Sequence, residues 1–237
     1  MRLFAIGDIH GHLRELRGLV RQLLDDGMDP ERDTVVFLGD VVDSGPDAKG
    51  VVDQLMAWQR AFPHWVFLMG NHDAMMVDAL DHEGDRERFT RWFAQGGEET
   101  YLSYLGDRAG DERSLPRPSA VVPVAHREWL RGLKLFHETE RYIFVHAGLR
   151  PPLTPGENTR HDLLWIRETF ILSEHDWGKR VIFAHTPVRE PLVLPNKIGI
   201  DTLPRTTGKL SAVELDPGDR LAEPRFFLEA AEAGSEW

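Results

Sequence analysis

The chain has 237 residues, 41% hydrophobic and 28% charged, a balance that fits a globular protein with a substantial core. It contains no cysteine, which excludes thiolate metal sites, cysteine nucleophiles and disulfides. Its 28 Lys+Arg against 39 Asp+Glu give a formal charge of -11, which argues against nucleic acid or an anionic membrane as a general partner. The opening stretch from Met1 to Asp8 is too short an apolar run for a signal peptide. No later run approaches the roughly 18 residues of a membrane span, and the lack of cysteine makes a reducing cytoplasm the expected setting.

In chain order, Arg2 to Ile6 reads as a buried strand ending at Gly7. His12 to Leu24 has helical spacing through Leu13, Leu16, Leu19, Val20, Leu23 and Leu24, and Gly27 and Pro30 stop it. Thr34 to Leu38 is a second strand, Ala48 to Trp58 a second helix and Trp65 to Met69 a third strand. This alternation predicts an α/β fold with parallel strands. Two helices are expected over Arg86 to Phe93 and Glu98 to Leu105, broken at Gly96-Gly97. Residues 107–119 read as an exposed loop, and Pro123 to Leu133 as a helix. Strands are expected over Arg141 to Val145, Arg180 to Phe183, Val193 to Ile200 and Lys209 to Leu215, with fraying from about Glu229. No repeat or second domain is required, so residues 1–237 are taken as one domain.

Five polar motifs follow five of these strands: Gly7 to Gly11 (Gly-Asp-Ile-His-Gly), Gly39 to Asp43 (Gly-Asp-Val-Val-Asp), Gly70 to Asp73 (Gly-Asn-His-Asp), His146 to Gly148 (His-Ala-Gly) and Ala184 to Pro187 (Ala-His-Thr-Pro). Open α/β sheets place ligand sites at strand C-termini. If extended geometry persists past Gly7, Asp8 and His10 point to the same side and can share a cation. Asp40, Asn71, His146 and His185 lie after neighbouring strands. Carboxylate, amide and imidazole donors without sulfur suit Mn²⁺, Fe²⁺ or Zn²⁺. Two dications facing two carboxylates and a hydroxide leave a net positive centre that attracts phosphate. Such a pair, about 3.5–4 Å apart, supports in-line attack on a phosphoester by a metal-bridging hydroxide. His72 is positioned to protonate the leaving oxygen, with Asp43 as its orienting carboxylate and Asp73 as the competitor. Each Asp and Asn can alternatively cap the helix that follows, but capping calls for no histidine.

These residues resemble the calcineurin-like metallophosphoesterases, and within them the bacterial phosphoprotein phosphatases. The resemblance runs from Leu3 to about Val213. It implies a β-sandwich of two mixed sheets flanked by helices. It also implies two divalent ions, most simply Mn²⁺, with Asp8 and His10 on the first, Asp40 bridging, and Asn71, His146 and His185 on the second. His72 becomes the general acid supported by Asp43. Arg167, after Leu163-Leu164-Trp165-Ile166, becomes a phosphate clamp, with Asn71 also facing the phosphate.

Three positions depart from the family pattern. Ser44 stands where the family has a phosphate-binding arginine, Asp73 where protein phosphatases have glutamate, and Leu203 where glycine follows Asp-Thr. Arginine grips two phosphate oxygens in a planar fork and serine does not. Arg150 or Lys197 is expected to compensate. The expected substrate is a phosphorylated protein or peptide, with serine or threonine as the phosphate carrier. Aspartate at position 73 is common in diadenosine tetraphosphatases, which makes a dinucleoside polyphosphate or other small phosphoester the alternative. A phosphate-binding fold without catalysis is the third reading, and it rests on Ser44 alone.

Overall fold

Successive side chains of a strand point to opposite faces, and the first strand, β1 (Leu3–Ile6), uses both. Its Leu3 and Ala5 enter one apolar cluster, and its Phe4 and Ile6 another. This two-sided burial sets the layering throughout the computed structural model, which describes residues 1–106 and 116–230.

The first half reads β1, α1 (Leu13–Asp25), β2 (Thr34–Phe37), α2 (Ala48–Ala61), β3 (Val66–Phe67) and α3 (Asn71–Asp81). The helical middle holds α4 (Arg86–Trp92), α5 (Glu98–Leu105), α6 (Pro118–Val121) and α7 (Val124–Arg131). A π-turn at Phe93–Gly97 joins α4 to α5, and Gly96 turns the chain there with φ +100°. The second half reads β4 (Phe136–Glu138), β5 (Tyr142–Val145), α8 (Arg160–Trp165), α9 (Glu168–Ile171), β6 (Arg180–Phe183), β7 (Leu192–Val193), β8 (Lys197–Gly199), α10 (Pro204–Thr207), β9 (Lys209–Leu215) and β10 (Arg225–Ala230).

The strands form two five-stranded sheets, in the orders β10-β9-β1-β2-β3 and β4-β5-β6-β8-β7. The β1, β2 and β3 strands are parallel, as are β5, β6 and β8, while β9, β10, β4 and β7 pair antiparallel. Both sheets are therefore mixed. Between them lie Leu3, Val36, Leu38, Phe144, Ile182, Ile198 and Val213. The outer face of the first sheet packs on α1, α2 and α3. That of the second packs on Leu163 and Phe170 of α8 and α9. The expected sandwich of two mixed sheets flanked by helices is the observed architecture. Among the described residues no helix is long and apolar enough to cross a membrane.

Local details differ from the expectations. The single strand expected over Val193 to Ile200 is the hairpin β7–β8, because Pro195 and Asn196 turn the chain between two short antiparallel strands. The loop expected over 107–119 gives way at Pro118 to α6, where proline sits at the first helical position and its missing N–H is harmless; residues 107–115 lie outside the described residues. Fraying from Glu229 is not seen at Glu229 and Ala230, which pair with Leu210 and Lys209; residues 231–237 lie outside the described residues. Strand β4 had no legible pattern in so short a stretch.

Candidate active site

The first, second and fifth motifs leave their strands through left-handed turns. His10 (φ +46°), Asp40 (φ +47°), Asp43 (φ +70°), Ser44 (φ +70°) and His185 (φ +63°) all occupy this sparsely populated region. The alternation expected to join Asp8 and His10 therefore does not operate, because extended geometry ends before His10. Glycines at the strand ends make room for the crowding. A Cβ on Gly70 would lie 2.0 Å from Asp40 Oδ1, and one on Gly39 would lie 2.4 Å from the Gly70 nitrogen.

Two clusters of candidate donors share Asp40. One comprises His10, Asp40 and His72, the other Asp40, His146 and His185, and within each the donor atoms lie within 4.8 Å of one another. Backbone carbonyls fix two of the rings. His10 Nδ1 donates to Val42 O at 3.0 Å, and His146 Nδ1 donates to Leu38 O at 2.9 Å. That leaves an Nε2 lone pair on each, facing Asp40 Oδ2 at 3.6 Å from His10 and 3.5 Å from His146. His146 Nε2 also lies 2.9 Å from Asn71 Oδ1. Acceptors thus converge with no hydrogen between them. Asp8 adds to this imbalance: Oδ2 accepts from the His185 N–H at 3.2 Å, while Oδ1 is buried without a donor and lies 3.7 Å from His146 Nδ1. Converging lone pairs and an orphaned carboxylate oxygen fit divalent cations.

The electrostatics agree. Burial pushes the Asp8 carboxyl well above its ordinary range, and Asp201 and Asp40 push it further. Burial, then Asp40, raise Asp73 to about 7, and burial raises Asp201 to about 6. Asp40 is the exception: burial opposes its charge, but His146, His72, His10 and His185 outweigh it and hold the carboxyl low. Four buried carboxylates in one pocket repel one another unless positive charge lies among them.

The histidines divide into two kinds. Burial lowers His10 to about 4 and His185 to about 3, and lowers His146 as well, so these rings stay neutral. His72 is raised to about 9: burial opposes its charge, but Asp40 and the hydrogen bond to Asp43 prevail. Its Nδ1 donates to Asp43 Oδ2 at 2.9 Å. Asp43 is fully buried, and burial raises its own pKa against its hydrogen bonds. Its Oδ1 accepts from Trp92 Nε1 at 3.0 Å and from Thr100 Oγ1 at 2.9 Å. Trp92 and Thr100 carry no sequence signal for this role, because they come from α4 and α5, far from any motif. Asp201, beside Asp8, follows the strand expected to end at Ile200, and the sequence predicts no role for its carboxylate. Asp73, the sequence competitor of Asp43, does other work. Its Oδ2 accepts from the Gly70 N–H at 2.8 Å and its Oδ1 from the Val41 N–H at 2.9 Å, tying the second motif to the third.

The phosphate-binding candidates separate. Arg167 reaches the centre, with Nε 3.1 Å from His185 Nε2. Asn71 faces it through Oδ1. Arg150 does not reach it: Nε and Nη2 both donate to Asp162 Oδ1, at 3.1 and 2.6 Å. Lys197 is fully buried, and its Nζ donates to the carbonyls of Phe170, Ile171 and Ser173, holding α9 against β8. Lys197 thus binds backbone, not substrate. Ser44, at the position of the missing arginine, donates its N–H to Gly96 O at 2.9 Å, so the α4–α5 turn covers that side of the site. Leu203 takes φ +50°, which explains why glycine is the easier residue there.

Comparison with known proteins adds names to this geometry. Residues 1–201 match the family described as calcineurin-like phosphoesterase. The serine/threonine-protein phosphatase 1 of Salmonella typhimurium is 27% identical over 211 residues, covering 84% of this chain and 85% of its own. An asymmetrical bis(5'-nucleosyl)-tetraphosphatase of Bacillus cereus is 23% identical over 248 residues, covering 94% of each chain. A solved protein serine/threonine phosphatase from Saccharomyces cerevisiae superimposes with a TM-score of 0.68 at 14% identity, over 99% of this chain and 82% of that one.

Proposed function

The chain belongs to the calcineurin-like phosphoesterase family, and from that premise we propose that it removes phosphate from phosphorylated protein or peptide, on serine or threonine, with His72 as the general acid. As a member of that family it is a phosphoric ester hydrolase that uses divalent metal. The observation that carries the reading is the placement of His72, whose Nδ1 lies 2.9 Å from Asp43 Oδ2, within one of two donor clusters joined by Asp40.

Asp8, His10, Asp40, Asn71, His146 and His185 would hold two ions, Mn²⁺ in the first instance. Their chemistry is to neutralise phosphate charge and to acidify water. The remaining work belongs to side chains. Asp43 directs Nδ1–H of His72 toward itself, so the proton on Nε2 points outward for delivery to the leaving oxygen. Arg167 supplies a fork of donors for the phosphate oxygens, a task that Ser44 cannot perform. Both sheets contribute donors, which supports treating the chain as one catalytic domain. The lack of cysteine supports a cytoplasmic setting.

The similarity to the Salmonella phosphatase over most of both chains favours phosphoprotein. Asp73 in the third motif, together with similarity to the Bacillus tetraphosphatase along nearly the whole chain, favours a dinucleoside polyphosphate as the second reading. A substrate panel with metal analysis separates them. The Mn²⁺-loaded protein is expected to cleave p-nitrophenyl phosphate and phosphothreonine or phosphoserine peptides, with two ions per chain. Faster release of ADP from diadenosine tetraphosphate than of phosphate from peptides would transfer the assignment to the second reading. Inactivity on every compound would defeat both.

A further inference from the structure

Beside the donor clusters runs a groove of about 510 Å³ between α3, α4 and α8. Helix α3 begins with Asn71 and His72 and lines the groove from Ala74 to Asp81. On α8, Trp165 joins the two regions: its ring lies 6.1 Å from that of His185 and 6.3 Å from that of His161, nearly parallel to the latter at 18°. Trp165 therefore lines the groove and also adjoins the reacting centre.

Its charges are unevenly balanced. From α3 come Asp78 and Asp81, each already paired: Asp78 with Arg88 and His82, Asp81 with Arg131. From α4 comes Arg91 and from α8 comes Arg160, both exposed. Neither arginine pairs with a carboxylate among the described residues, and Arg160 Nη2 approaches only the sulfur of Met69, at 2.9 Å. Two uncompensated guanidinium groups thus flank the site of a chain whose formal charge is -11.

We propose that this groove selects phosphopeptides with acidic residues next to the phosphorylated one, through Arg91 and Arg160. The proposal rests on the phosphoprotein reading above and adds sequence preference to it. Ala74 to Asp81 covers about 10 Å of helix at roughly 1.5 Å per residue. An extended peptide rises about 3.3 Å per residue, so the groove accommodates about three residues beside the phosphosite. Guanidinium forks match carboxylates bidentately. The acidic surface elsewhere repels such peptides, which concentrates the attraction here.

The test uses the full Mn²⁺-loaded chain and phosphothreonine peptides that differ solely in three flanking residues, all Glu, all Ala or all Lys. The expected kcat/KM is about tenfold higher for the Glu peptide than for the Lys peptide, the sum of two partly exposed ion pairs. The difference should lie in KM and shrink in about 0.5 M salt. In the double variant Arg91→Glu, Arg160→Glu the preference should reverse, while p-nitrophenyl phosphate turnover, which needs no flanking residue, changes less than about twofold. If the reversal fails to fold, Arg91→Gln, Arg160→Gln should abolish the preference.

Equal kcat/KM for the three peptides, or a preference unmoved by the variants, overturns the proposal and leaves the phosphatase reading standing. Cleavage of p-nitrophenyl phosphate without cleavage of any peptide overturns both. A variant that loses diadenosine tetraphosphate hydrolysis instead of peptide selectivity reassigns the groove to a nucleotide.

Discussion

The two sheets contribute unlike chemistry to one pocket. From the first come mainly carboxylates: Asp8 after β1, and Asp40 and Asp43 after β2, with Asp73 at the head of α3 and the ring of His10 among them. From the second come His146 after β5 and His185 after β6, with Asp201 after β8. Burial acts oppositely on the two kinds of group. It raises Asp8, Asp73 and Asp201, so that ionising them together is costly without a cation. It lowers His146 and His185, so that both rings stay neutral without any assistance. The first sheet therefore brings most of the need for positive charge, with His10 as its nitrogen donor, and the second brings His146 and His185, nitrogen donors that discriminate among cations, with Asp201 as its carboxylate. Asp40 lies within reach of both, and His72 stands apart because Asp40 and Asp43 keep its proton on.

The strongest way to break this comparison is to remove its shared member. Asp40→Ala should release both ions and lower p-nitrophenyl phosphate hydrolysis by at least about 10³. Two ions per chain by metal analysis in that variant would refute the sharing. His72→Asn should reduce kcat by about 10²–10⁴ while leaving metal content intact, the division expected of an acid that is not required as a ligand. Loss of an ion together with activity would move His72 into the ligand set.

Metal should also stabilise the fold, by about 2.7 kcal/mol when the free ion is a hundredfold above its dissociation constant. Thermal unfolding with and without Mn²⁺ measures this, and Asp40→Ala should erase the difference.

The pH response sharpens the contrast in the metal-free protein. His72, at about 9 against an ordinary 6.5, contributes stability that is complete below about 6.5 and lost as pH rises through about 9. His10 and His185, at about 4 and 3, contribute in the other direction: their stability is present above 6.5 and lost as pH falls through those values. Asp43→Asn should shrink the alkaline limb and move it to lower pH, Asp40 still holding part of it, and leave the acid limb in place, as read from denaturant midpoints. The smallest effect is expected for Trp92→Phe, which removes one donor to Asp43 and keeps the ring. A fall in kcat of about tenfold with KM unchanged would fit loss of an outer-shell hydrogen bond.

Much of the site was legible because its signals are local. Gly7, Gly39 and Gly70 mark strand ends, and the polar residues after them are donors of the right type. Other parts were not legible. The expected partnership of Asp8 and His10 assumed an extended chain, whereas His10 turns left-handed. Arg150 and Lys197 are suitable cations by composition, but Asp162 and three backbone carbonyls occupy them. Trp92 and Thr100 approach Asp43 from helices 49 and 57 residues away in sequence, a separation that no pattern reveals.

The sequence by itself determined the succession of strands and helices, the chemical types at the strand ends and the absence of sulfur, because periodicity, glycine punctuation and composition are properties of neighbouring residues. Tertiary structure decided which histidine keeps its proton, which carboxylate orients it, which arginine reaches the centre and which two remain uncompensated beside it. Those outcomes depend on desolvation and on charge partners brought together across the two sheets and the helical middle, and neither exists before the chain folds.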